Sequence, residues 1–176
     1  MANSFHDQIL KDTTEHVVIK LTGKFDGVSG QENNHTRIVA NGLYGAIATN
    51  GYLVANNQGG AANTPLSYYG LSLHRLWYDC ATTGDVELYW HADVPVPLMF
   101  LNGNGEYDGA GNWVTISNAA RGNAGCVGDI LVTTRGMAAN DSYTLIAEFR
   151  KDNAHYQRGQ FNDPAAFNYG QYSMKP

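Results

Sequence analysis

LHRLWYDCATTGDVELYWHAD, residues 73–93, decides how this chain is read, because it places His74, Asp79, Cys80, Asp85, Glu87, His91 and Asp93 close together in sequence. On both sides of Ala81-Thr82-Thr83-Gly84 apolar and aromatic residues alternate with polar ones, the period of a strand. With those four residues as the turn, the stretch predicts a hairpin in which Cys80 faces Asp85 and residues pair 79 with 86, 77 with 88, 75 with 90 and 74 with 91. One face then carries Leu71, Leu73, Trp77, Val86, Leu88 and Trp90, with Arg75 and Asp79 among them. The other carries His74, Leu76, Tyr78, Cys80, Asp85, Glu87, Tyr89 and His91. His74 and His91 become cross-strand neighbours of a type suited to zinc or iron. Glu87 shares their face but lies roughly 13 Å from His91 along an extended strand, so it cannot complete a ligand set. The acids and histidines divide between two faces, and no catalytic, cofactor or metal site is expected from them.

Outward from this stretch, strand signals recur. EHVVIKLTG (15–23) alternates with Val17, Ile19 and Leu21 on one side. TRIVANGLYGAIATNGYLVANN (36–57) predicts two or three short strands turning at Asn41-Gly42 and Asn50-Gly51, because Asn-Gly accepts the positive φ of tight hairpins. VPLMFLNG, WVTISNA, GDILVTT and SYTLIAEFRK add further strands, whereas KFDGVSGQENNH, NQGGAANTPLSYYG and NGNGEYDGAGN read as turns and loops. No twelve-residue segment shows capped helical periodicity. The expected fold is all-β: an antiparallel, jelly-roll-like β-sandwich of about eight strands with little helix. Residues 1–14 are an N-terminal segment, 15–151 the sandwich, and 152–176 an extended C-terminal arm without alternation. The arm carries Tyr156, Phe161, Phe167, Tyr169 and Tyr172, spaced aromatics suited to docking on the chain's own body or on a neighbour.

Composition narrows the function. With 11 Lys+Arg against 16 Asp+Glu the net charge is -5, so no electrostatic term favours a nucleic-acid backbone. The first residues lack a basic region followed by an apolar core, and the longest largely apolar run, VPVPLMFL, is broken by two prolines, so neither a secretory signal nor a membrane span is expected. Cys80 and Cys126 have no CxxC partner; two reduced buried thiols or one bridge are both open. Short motifs fail in detail: GVSGQ (27–31) has Gln31 where a nucleophile elbow needs glycine, and Asn104-x-Glu106-x-Asp108-Gly109 has Thr115 where a calcium loop needs its bidentate acid. Ser29 is therefore a turn residue. Tyr68, Tyr69, Trp77, Tyr78, Tyr89, Trp90 and Trp113 could supply a sugar-stacking platform, which keeps a carbohydrate-binding module as the alternative function.

HVVIKLTGKFDGVSGQENN (16–34), the stretch from Leu71 to Asp108, and GDILVTTRGMAANDSYTLIAEFRK (128–151) occur in an order that resembles small β-rich virion structural proteins of tailed bacteriophages. The resemblance covers strand and turn patterns and transfers no functional residue. It implies a non-enzymatic capsid decoration (cement) protein, or a neck- or tail-associated one. Such a protein is made in the host cytoplasm and sits on the outer surface of the virion. It contacts the major capsid protein or other virion proteins, is a homo-oligomer, and engages no nucleic acid or membrane. An arm reaching a second subunit would add avidity to such contacts, so removing residues 153–176 is expected to weaken association.

Overall fold

Alternation in sequence becomes alternation in burial: along His16–Lys24 the side chains of Val17, Ile19 and Leu21 are buried, and Val18, Lys20 and Thr22 turn outward. The computed structural model describes residues 2–46, 69–109, 115–152 and 156. Its strands are β1 (Ser4–Asp12), β2 (His16–Lys24), β3 (His35–Ile38), β4 (Leu71–Cys80), β5 (Asp85–Trp90), β6 (Val96–Leu101), β7 (Asn104–Asp108), β8 (Ile116–Ser117), β9 (Ile130–Arg135) and β10 (Ser142–Lys151). Among the described residues the helical content is one 3-10 turn, Ala40–Gly42, and no helix is long and apolar enough to cross a membrane.

The large sheet runs β1-β2-β10-β4-β7, with β8 also on β4, and the small sheet runs β3-β9-β5-β6. Four pairings are nested: β2 with β10, β3 with β9, β4 with β7 and β5 with β6, all antiparallel. They describe one long hairpin, folded back on itself at β5–β6. Rolling that hairpin brings β10 onto β4 and β9 onto β5. The result is the eight-stranded jelly roll, with β1 and β8 as additions to it. About eight strands were expected and, among the described residues, ten form: the roll takes in β7, read from the sequence as a loop, while β8, expected as a strand, lies outside it.

The stretch 73–93 is not a hairpin. β4 belongs to the large sheet and β5 to the small one, so Ala81–Gly84 form a corner between layers. Cys80 N–H donates to Gly103 O (2.7 Å) and Ala81 N–H to Ser142 O (3.0 Å), which leads the chain off the large sheet. Gly84 then presses on the backbone of the next strand's end, where a Cβ would lie 2.5 Å from Arg135 O. Packing favours the corner because each strand has its own apolar face. Leu71, Leu73, Leu76 and Cys80 look across the sandwich toward Val86, Leu88 and Trp90, and Trp90 meets Phe149 of the opposite sheet at 6.3 Å between ring centroids. Burying a Val or Leu side chain stabilises by about 1.5–3 kcal/mol, so two facing rows outweigh one hairpin with a single covered side.

Three other expectations change. Residues 4–12 of the N-terminal segment form β1, paired along β2. Asn41-Gly42 sits in the 3-10 turn and not in a hairpin, while Asn50-Gly51 lies outside the described residues. Within NGNGEYDG (102–109), Asn104–Asp108 form strand β7. Its Gly105 is there for close approach, since a Cβ would stand 2.5 Å from the Tyr78 hydroxyl oxygen.

Bulges occur where one strand carries an extra residue: Leu10 in β1, Arg37 in β3, His74 in β4 and Leu98 in β6. A bulge re-aims side chains. In β3 it turns Arg37 into the interior; in β4 it lets Leu73 and Leu76, three apart, both point inward and leaves His74 and Arg75 on the outer side.

Candidate functional site

The outer face of the large sheet collects the side chains that the core does not use. β10 is flanked by β2 and β4, so Glu148 lies between Val18 and Arg75 in register, with His16 two residues away along β2, opposite Arg150. His16 is fixed where β2 begins: its backbone N–H and C=O both bond to the Thr13 hydroxyl, at 3.1 and 3.0 Å. His74 is delivered by the bulge. One ligand atom from each of His16, His74 and Glu148 lies within 4.8 Å of the other two. The imidazoles meet edge to face with centroids 5.3 Å apart. His16 Nδ1 stands 3.1 Å from Glu148 Oε1, yet the carboxylate is off the ring's hydrogen-bond direction, and neither His16 Nδ1 nor His74 Nε2, both buried atoms, has a hydrogen-bond partner. Arg75 approaches the other carboxylate oxygen at 3.8 Å and pairs with Asp108 at 3.0 Å. Burial, then the neighbouring His16, hold His74 below the usual imidazole range, with Glu148 opposing.

Beside this cluster is an open depression of about 540 Å³ lined by Trp77, Tyr78, Asp79, Asn104, Glu106 and Ile146, among others. Trp77 is 40% exposed. Trp90, placed with it on one face by the hairpin reading, is fully buried. Tyr68 and Trp113 lie outside the described residues.

The other members of the 73–93 cluster disperse. Glu87 and Tyr89 join Arg135 on the small sheet, the carboxylate accepting from the guanidinium (2.8 Å) and from the tyrosine hydroxyl (2.7 Å). His91 is 3.7 Å from Asp129 and well away in topology from His74. Asp85 accepts from Asn102 (3.1 Å). Cys80 and Cys126 are free and buried, and burial pushes the Cys80 thiol up to about 12. Ser29 donates to Asp26 (2.5 Å) within an exposed loop, as a turn residue does.

The inner counterpart of the outer cluster lies at the other end of the same strands. Arg37 and Glu32 side chains are each 1% exposed and bond at 2.8 Å. Arg37 also donates to Asp7, to the Tyr143 hydroxyl (2.5 Å), and to His6 O and Thr22 O (both 3.1 Å), while Tyr143 donates to Glu32 (2.6 Å). Burial alone would lower the Arg37 pKa; the bonds to Asp7 and Glu32 and the surrounding negative charge reverse that. A second buried cation, Lys151, donates to Asp12, Thr13 O (2.8 Å) and Tyr44 O (2.7 Å).

Of the arm residues, Tyr156 is 1% exposed and packs within its own chain. Its hydroxyl donates to Ala40 O (2.8 Å), its ring lies under Lys151 Nζ (5.1 Å) and beside Tyr69 (5.6 Å), and its backbone bridges to Ala46. Phe161, Phe167, Tyr169 and Tyr172 lie outside the described residues.

Sequence reading passed over His16 and Glu148. The available signal was the change of parity in β4, where buried positions move from Leu71 and Leu73 to Leu76 and Cys80, marking an insertion at His74. No protein-family model matches this chain, and no match was found among curated proteins or solved structures.

Proposed function

We propose that this chain is a non-enzymatic structural protein of a tailed-bacteriophage virion, a decoration protein of the capsid or a neck- or tail-associated component, acting through contacts among repeated copies. The observation that carries the reading is β1. Among the described residues it is a nine-residue strand at an unpaired edge of the large sheet, and most of its residues are exposed. Ile9 and Leu10 are 55% and 47% exposed there. Long exposed edges with apolar residues are templates for pairing with another chain, and an added strand gains main-chain hydrogen bonds. The sequence resemblance points the same way, and the jelly roll is a fold common in viral capsid proteins, though lectin domains and cupins share it. A protein that binds an assembled lattice and not its free subunits stabilises the shell by mass action.

The test is co-sedimentation of the full chain with intact particles, with copies per particle counted. The unaltered chain is expected at a fixed high copy number, and the double variant Ile9→Lys/Leu10→Lys at a markedly lower one. A chain that never sediments with particles rules out the virion role; equal occupancy by the double variant removes β1 as the contact.

A second reading, a carbohydrate-binding module, is favoured by one specific feature: the exposed Trp77 ring beside Asp79, Asn104 and Glu106 in the open depression. Aromatic rings stack on apolar sugar faces while amides and carboxylates accept and donate at the hydroxyls. Glycan-array binding lost in Trp77→Ala would support it, and an array without signal for the unaltered chain would dismiss it.

A further inference from the structure

We propose that His16, His74 and Glu148 bind one divalent first-row transition-metal ion, zinc being the natural occupant, on the outer face of the large sheet. The inference does not rest on the virion reading. Two imidazoles and one carboxylate form a donor set that zinc takes while keeping a fourth position open to water or to a donor from a neighbouring molecule.

The distances suit such an ion. Bonds of about 2.0–2.1 Å in a tetrahedral arrangement hold adjacent donor atoms roughly 3.3 Å apart. His16 Nδ1 and Glu148 Oε1 are already 3.1 Å apart, and the His74 donor lies within 4.8 Å of both, so rotation about side-chain torsions closes the set. The second observation is the state of the nitrogens. His16 Nδ1 and His74 Nε2 are shielded from water without a hydrogen bond, an arrangement that folded proteins avoid unless the groups have another task. One cation between them satisfies both lone pairs and the carboxylate together. The surroundings resemble the support that metal ligands receive: Arg75 engages Glu148 Oε2, which leaves Oε1 for the ion. The three donors stand on β2, β4 and β10, adjacent strands in the centre of the sheet, so the site is positioned by backbone pairing and not by a loop.

The experiment treats the full chain with a chelator, titrates it with zinc chloride by calorimetry, and measures zinc by elemental analysis after gel filtration. One zinc per chain is expected. His16→Ala, His74→Ala and Glu148→Gln should each weaken binding by at least about tenfold, the loss that even outer-shell changes produce. His91→Ala is the control, since its Nδ1 is also buried without a hydrogen bond but stands 3.7 Å from Asp129 and, among the described residues, belongs to no three-donor cluster. It should bind as the unaltered chain does. Circular dichroism melts of each chelated variant separate loss of binding from loss of fold. Cobalt(II) gives a readout that needs no variant: a visible ligand-field band on the unaltered chain, displaced by zinc. Elution without zinc, zinc retained in full by both His74→Ala and Glu148→Gln, or cobalt producing no band would each overturn the proposal, leaving a His16–Glu148 ion pair without a metal.

Discussion

The interior network around Arg37 and the exterior cluster around His74 are built with the same device and finish differently. Each depends on a residue delivered by a bulge, and each brings charged or ionisable groups from β2 or β3 to β10. Around Arg37 the guanidinium meets two carboxylates, a hydroxyl and two carbonyls, and Glu32 and Tyr143 close on each other. Around His74 two ring nitrogens have no hydrogen bond at all. A polar network that is closed serves the fold, because breaking it strands buried charge; one left open is available to something outside the chain.

The largest expected effect tests the closed side. Arg37→Met leaves the buried Glu32 without its guanidinium, keeping only the Tyr143 hydroxyl and the exposed His35 ring, and removing one partner of a buried pair costs about 3–5 kcal/mol. Urea unfolding of Arg37→Met should show that loss, and Arg37→Met/Glu32→Gln should recover more than half of it. A double variant no more stable than the single one would mean that Glu32 is satisfied without Arg37, and the contrast with His74 would weaken.

Tyr156 sharpens the comparison at the second buried cation. Truncating a buried aromatic costs about 3–5 kcal/mol, and Tyr156→Ala is expected at the low end, about 3 kcal/mol, because Lys151 keeps its three oxygen partners. Tyr156→Phe should cost about 1–2 kcal/mol, the loss of one bond to Ala40 O. Thermal or urea melts decide. Ending the chain at residue 152 removes this anchor, so any role of the arm in association must be tested on a chain that retains residue 156.

Much of this was legible in sequence, and the gaps have definite causes. Strands buried on one face, such as β2 and β10, announce themselves by unbroken alternation. β1 does not, because both of its faces are wet and nothing selects apolar residues at every second position. β7 was hidden by glycine, which reads as a turn but here makes room for the ring of Tyr78. The corner at Ala81–Gly84 was read as a hairpin because a short link between two amphipathic strands has the same local pattern in either case. Only the pairing of β4 with β10 and of β5 with β9, both distant in sequence, distinguishes them. His16 and Glu148 were missed for the same reason: three strands from distant segments create the cluster, and no local spacing encodes it.

Alkaline titration adds a graded test of closure. Burial first, then the Glu32 charge, raise the Tyr143 pKa, and burial, then Tyr69, raise that of Tyr156. Each tyrosine stays protonated in the fold after its unfolded counterpart ionises near pH 10. Their contribution is therefore fully present below pH 10 and declines above it, by about 1.4 kcal/mol per pH unit for each. Denaturation midpoints at pH 9, 10 and 11 should fall accordingly, and Tyr143→Phe should show a shallower decline. An unchanged slope in that variant would place Tyr143 outside the network's proton balance.

The smallest expected change is the most discriminating. In chelator, His74→Ala should alter stability by no more than about 1 kcal/mol, since Nε2 gives up no hydrogen bond and the main loss is the edge-to-face contact with His16. A structural network cannot lose a member so cheaply: the same experiment at Arg37 removes five hydrogen bonds. If His74→Ala without metal lost 2 kcal/mol or more, on the scale of removing one partner from a buried hydrogen bond, the cluster would belong with the fold and the open lone pairs would have found a partner inside it. If it lost nothing in chelator but lost the stabilisation that zinc confers on the unaltered chain, the difference between the two regions would be functional. The bulge at Arg37 would then serve the core, and the bulge at His74 a ligand.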